Sequence, residues 1–183
     1  MIILIGGTGC SGKTKLAYEL IQKYRYPCFS LDHLKMGLIR GLDDCPISAI
    51  DKDEHIARYL WPIVKGIIET NIENKQNLIF EGCYLPCHEI KKLLETYPHD
   101  ILAIYMVFSE NYIRTHFEDV LGYRCVVEAR GYKEERTVDM LVAEHQQVLA
   151  SCKLNNLPYF LADNSYDEMF GEILRFICNK IGF

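Results

Sequence analysis

The sequence predicts an α/β fold, a parallel sheet with helices packed on both of its faces. Three observations carry that expectation. Short apolar runs alternate with helical patterns from end to end, the mark of consecutive βαβ units. The runs around 77–81 and 100–108 are nearly continuous rather than alternating, as strands buried on both faces are. The first run, Ile2 to Ile5, breaks into a glycine-rich turn and then directly into a helical pattern.

That turn reads Gly7-Thr8-Gly9-Cys10-Ser11-Gly12-Lys13-Thr14, the G-x-x-x-x-G-K-[ST] spacing of a P-loop. Glycines at 7, 9 and 12 let the backbone take positive φ and approach a phosphate closely. The loop N–H groups, with Cys10 and Ser11 among them, then form an anion-binding concavity at a helix N-terminus. Lys13 is expected to bridge the β- and γ-phosphates of ATP, and the Thr14 hydroxyl to bind Mg²⁺. Leu16, Ala17, Leu20, Ile21 and Tyr24 recur at helical spacing behind the loop. A bare glycine turn with a solvated Lys13 would not require a strand before it and a helix after it, and both are legible.

Residues 26–30 form the second expected strand, with Pro27 at its entry, where a missing N–H is tolerated. A helix around Leu34 to Arg40 stops at Gly41, and 42–48 is a loop. From Asp51 to about Asn74, Ile56, Tyr59, Leu60, Ile63, Val64, Ile67, Ile68 and Ile72 make one apolar stripe. Pro62 lies inside it and is expected to kink or break that helix. The third strand covers 77–81, and a helix from Glu89 to Tyr97 follows a loop at 82–86. After the fourth strand, Ser109 is a good N-cap for a helix to about Leu121. Residues 122–136 are charged and weakly patterned, and 137–152 are again helical. The fifth strand spans 157–161, and Asp163-Asn164-Ser165 caps a last helix.

The 183 residues suit one domain, 1–183, with insertions at 33–76 and 109–136. An apolar fraction of 49% and a charged fraction of 25% argue against disorder and coiled coil. A net charge of -5 leaves no electrostatic footprint for nucleic acid or an anionic membrane. The opening apolar run lacks a basic segment before it, so a buried strand is expected there rather than a signal peptide. The eight cysteines form no CxxC pair and are expected to be reduced thiols, several of them buried, in a cytoplasmic protein. Cys83, Cys87 and His88 find no second half of a zinc site.

In such a sheet the residues just past the strands' carboxyl ends meet the P-loop. Asp32 follows strand two and Glu81 ends strand three. Asp32 is the candidate base, or orients the substrate and supports the metal; it also suits an N-cap for the next helix. Glu81 would be costly to bury without a partner, so a place near Mg²⁺ or substrate, or a core salt bridge, is expected. Phosphoryl transfer also needs positive charge around the moving phosphoryl group. Arg124 and Arg130 are the favoured lid arginines, ahead of Arg114 and Arg136, which fit solvent faces of helices. Arg40 and Arg58 are candidates for an acceptor's phosphate or carboxylate, or for a solvated helix face.

Together the P-loop, the Ser30-Leu31-Asp32-His33 strand end and the lid-like arginines resemble the adenylate-kinase-like P-loop kinases of small molecules. Glu81-Gly82-Cys83-Tyr84-Leu85-Pro86 looks like an E-G-x-x-L stretch of the 2-phosphoglycerate kinase-type proteins, and His116-Phe117 followed by Arg124 is similar to that group's region after strand four. The resemblance implies a five-stranded sheet of order 2-3-1-4-5, use of ATP with Mg²⁺, and transfer of the γ-phosphate to a small-molecule acceptor by a monomer or homodimer. A nucleotide-dependent switch is the alternative of another class, although neither an N-K-x-D nor a D-x-x-G motif stands at a usable place. A kinase-fold toxin or antibiotic phosphotransferase would share the same chemistry.

Overall fold

A computed structural model describes residues 1–122 and 136–182. Five strands, β1 (Ile2–Gly7), β2 (Cys28–Ser30), β3 (Leu78–Glu81), β4 (Ile101–Phe108) and β5 (Tyr159–Ala162), pair in the order β2-β3-β1-β4-β5. All four pairings are parallel. The sheet order and the α/β class are those expected.

Successive side chains of a strand point to opposite faces, and β1 shows why an unbroken apolar run was needed. Ile2 and Leu4 enter one core with Leu31, Leu60, Val64, Ile68, Phe80 and Ile90. Ile3 and Ile5 enter the other with Leu16, Leu20, Ile104, Met106, Ile173 and Ile177. The first core is covered by α2 (Leu31–Gly41), α3 (Asp53–Glu73) and α4 (Cys87–Thr96). The second is covered by α1 (Lys13–Tyr24), α5 (Glu110–Thr115), α6 (Phe117–Gly122) and α8 (Tyr166–Ile181), while α7 (Val138–Asn155) feeds both.

Local chemistry explains the boundaries. Ser109, Thr137 and Ser165 each accept a hydrogen bond from the N–H three residues on, satisfying a donor that the first helical turn leaves orphaned. The helix expected from 109 to 121 is instead two short ones. His116, with φ -124 and ψ 26, leaves helical geometry between them. The Thr115 hydroxyl there bonds back to the Asn111 and Tyr112 carbonyls, a local competitor to the helical ladder. Pro62 is absorbed within α3, which runs unbroken past it; its ring lies on the exposed side of the helix.

Register fixes the functional edge. Gly7 lies opposite Met106, Ser30 opposite Glu81, and Phe108 opposite Ala162. The strands' carboxyl ends therefore share one rim of the sheet.

Candidate active site

The turn between β1 and α1 wraps into a cradle. Gly7 has φ 135, Cys10 φ 62 and Gly12 φ 89, and a Cβ on Gly7 would stand 2.5 Å from the Met106 carbonyl oxygen. Only glycine tolerates that positive φ and avoids the clash there. Lys13 is buried and folded back, donating to the Thr8 carbonyl and lying 3.5 Å from Ser11 Oγ. Thr14 Oγ1 donates to Glu81 Oε2 at 3.3 Å. A buried carboxylate beside a hydroxyl, both hard oxygen donors, matches what Mg²⁺ takes from protein while keeping several waters. Among the described residues no group of three or more His, Cys, Asp or Glu is placed to hold a metal, so a site of this kind depends on phosphate and water for its remaining ligands.

Opposite the cradle, Asp32 stands in the first turn of α2, where the helix dipole favours a carboxylate. The N-cap position belongs to Ser30, so Asp32 does not cap the helix. Lys35, one turn further on, donates to Asp32 Oδ1 at 2.9 Å and to the Tyr84 hydroxyl at 2.7 Å. Tyr84 in turn donates to the same Oδ1 at 3.2 Å. Burial, reinforced by the negative charge of Asp32, holds the Tyr84 phenol well above its ordinary pKa, so it stays a donor. Desolvation also raises the carboxyl of Asp53, at the start of α3, against the pull of Lys35 and Lys13. Burial raises the Cys83 thiol, which Lys13 counteracts.

These residues line one cleft of about 1480 Å³. Pockets for one small molecule span about 300–1,000 Å³, so the cleft has room for a nucleotide and a second small molecule. Gly7, Gly9, Cys10, Ser11, Gly12, Lys13, Thr14, Asp32 and Glu81 all reach it. Arg58 does too, but in an exposed pair with Glu54 at 3.3 Å. Arg40 is exposed in the last turn of α2 and is not part of the cleft wall. Arg124 and Arg130 lie outside the described residues. Arg136, ranked behind them on sequence, approaches the cradle: its Nη2 is 3.4 Å from Cys10 Sγ, and its Nη1 is 3.1 Å from Glu144 Oε2. A Cβ on Gly9 would stand 2.6 Å from the Arg136 Nη1. Arg114 instead pairs with Glu110 and Asp139 at the surface, each at 2.8 Å.

Sequence reasoning missed Lys35, Tyr84, Asp53 and His145. Lys35 could have been found as the residue one helical turn beyond Asp32. His145 sits at a core position of the α7 pattern and is buried, stacked on Phe108 with ring centroids 5.0 Å apart. A histidine at an apolar position was its only signal.

The fold and the cradle together are those of a P-loop α/β domain. Shikimate kinase from Aquifex aeolicus superposes with a TM-score of 0.55 at 16% identity, covering 100% of both chains. A gluconokinase from Sinorhizobium meliloti gives 0.55 at 16% identity over 97% of this chain and 91% of its own. Deoxyadenosine kinase from M. mycoides gives 0.52 at 14% identity over 98% of this chain and 100% of its own. No family model matches the sequence, and no curated protein matches it.

Proposed function

We propose that the protein is an ATP- and Mg²⁺-dependent kinase that transfers the γ-phosphate to a hydroxyl of a small molecule. The observation that carries this reading is the meeting, in one cleft, of the phosphate cradle, the Thr14–Glu81 pair and a carboxylate fixed by Lys35 and Tyr84. In this reading the acceptor's oxygen attacks the γ-phosphorus, the bond to the β-bridging oxygen breaks, and the hydroxyl proton passes to Asp32. Lys13 and Arg136, both at the cradle, would meet the charge spread over the moving phosphoryl oxygens. Mg²⁺ held by Thr14 and Glu81 would neutralise the β- and γ-phosphates. A hydroxyl suits the acceptor side better than a phosphate would, because Asp32 and Asp53 both face that end.

The chain is read as a single unit, 1–183, whose 33–76 segment shapes the acceptor pocket; of the expected lid, 109–136, residues 123–135 lie outside the described residues. A cytoplasmic protein, monomeric or dimeric, accords with it. Among the described residues no helix is long and apolar enough to cross a membrane.

The test is ATP turnover against a panel of sugars, hydroxy acids, nucleosides and nucleotides, with the phosphorylated product identified. ADP release without any phosphorylated acceptor, equal in wild type and Lys13→Ala, overturns the proposal. Two variants probe its parts. Glu81→Gln is expected to raise the Mg²⁺ concentration needed for half-maximal activity by about tenfold or more, as loss of a ligand-shell carboxylate does, read from a metal titration at fixed ATP. Arg136→Ala is expected to lower kcat by about 10²-fold. The surface pair partner serves as the contrast: Arg114→Ala should stay within about twofold of wild type, since exposed ion pairs contribute little.

A further inference from the structure

We propose that His145 is a positioning residue that locks the P-loop from behind, as a neutral imidazole in its Nε2–H form. The inference rests on the nucleotide-binding reading above. His145 lies on α7, in the middle of the chain's C-terminal third, yet its two ring nitrogens bridge the end of β4 and the P-loop. The Phe108 backbone N–H donates to Nδ1 at 2.8 Å. That nitrogen must therefore carry no proton, and in a neutral ring the proton sits on Nε2. Nε2 is 2.7 Å from Thr8 Oγ1 and so donates to it. The Thr8 hydroxyl proton is then directed onward, and the Gly9 carbonyl lies 3.4 Å away to receive it. Three hydrogen bonds thus run in one direction from the sheet edge into the glycine turn.

Neutrality is secured by the surroundings. Burial pushes the imidazole pKa down to about 3, and the positive charges of Lys13 and Arg136 push the same way. Glu144, the acidic residue beside it on α7, is turned to Arg136. Ring stacking on Phe108 fixes the plane.

The position matters because Thr8 is the residue on which Lys13 rests. Lys13 and Ser11 both donate to the Thr8 carbonyl, and nucleotide binding draws Lys13 from that oxygen to a phosphate. Of these two donors only Ser11 would then remain on the Thr8 carbonyl, and a cradle loosened by that loss would have to be reordered at the expense of affinity. His145 keeps Thr8 in place through the exchange.

The experiment measures ATP affinity by calorimetry and steady-state kinetics in four variants. His145→Leu, similar in size without polar atoms, should weaken ATP binding about tenfold, the effect of one buried hydrogen bond. It should raise KM for ATP while kcat and the acceptor's KM change less than about threefold, a split that marks lost ground-state binding. Thr8→Val should do the same. The double variant should be no worse than either single one, since both break one interaction. His145→Gln should restore affinity to within about threefold, because an amide can accept from Phe108 and donate to Thr8. Unchanged affinity in His145→Leu or in Thr8→Val, additive losses in the double variant, or no rescue by glutamine overturns the inference. If His145→Leu fails to fold, Thr8→Val and His145→Gln decide it alone. A wild type that binds no ATP overturns the nucleotide reading together with this one, whereas equal binding by all variants overturns this one only.

Discussion

Lys13→Ala is expected to lower kcat/KM by about 10³-fold or more, some 4 kcal/mol of transition-state stabilisation. The lysine is the cation nearest the cradle's own backbone, buried and already within reach of Thr8 and Ser11. Its charge is little screened there, so its loss falls on both nucleotide binding and the chemical step. The variant should nevertheless fold. Lys13 is the first residue of α1, and alanine is the best helix former. Calorimetry with ATP and a far-UV spectrum separate the two outcomes. A variant that folds and still turns over at a tenth of the wild-type rate would remove Lys13 from the centre of the site.

The second large effect is expected at Asp32. Asp32→Asn should lower kcat by about 10²–10⁴-fold, the usual contribution of a positioned base, while ATP affinity changes by less than about threefold. The separation follows from placement. Asp32 stands across the cleft from the P-loop, in the first turn of α2, and its bonds go to Lys35 and Tyr84 rather than to the cradle. Asparagine keeps an oxygen for both donors but cannot take a proton at neutral pH. Product formation under saturating ATP, set beside ATP binding, checks it. Equal losses in both would mean that Asp32 serves the nucleotide instead.

The middle of the sheet was legible because its strands are buried on both faces and leave almost no polar position to interrupt the pattern. Ile2 to Ile5 and Ile101 to Phe108 are the clearest cases. The cradle was legible because phosphate binding requires small residues at fixed spacing, whatever surrounds them. Arg136 was misjudged for a physical reason: periodicity assigned it to the solvent face of a helix, but α7 begins at Val138 and Arg136 lies just before it. Its direction is set by loop geometry and by Glu144, eight residues on, and neither appears in a helical pattern. The break at His116 was hidden similarly, since side-chain bonds to the backbone leave the apolar spacing intact. The Asp32–Lys35–Tyr84 cluster joins α2 to the loop after β3, a meeting that sheet order permits and local sequence does not specify.

The order of the strands has one more consequence, in the rate at which the chain's amides exchange with heavy water. β1, β3 and β4 are inner strands with every residue buried, whereas β2 and β5 lie at the edges and are partly exposed. Inner amides should exchange only when the whole domain unfolds, and edge amides by local opening. Thr14 and Glu81 hang from the slow-exchanging middle, while Asp32 follows directly from the edge strand β2. The end proposed to hold phosphate is thus stiff, and the end proposed to meet the acceptor is compliant. Deuterium uptake should divide the two halves of one cleft by orders of magnitude in time, and an acceptor should slow its own half far more than a nucleotide does.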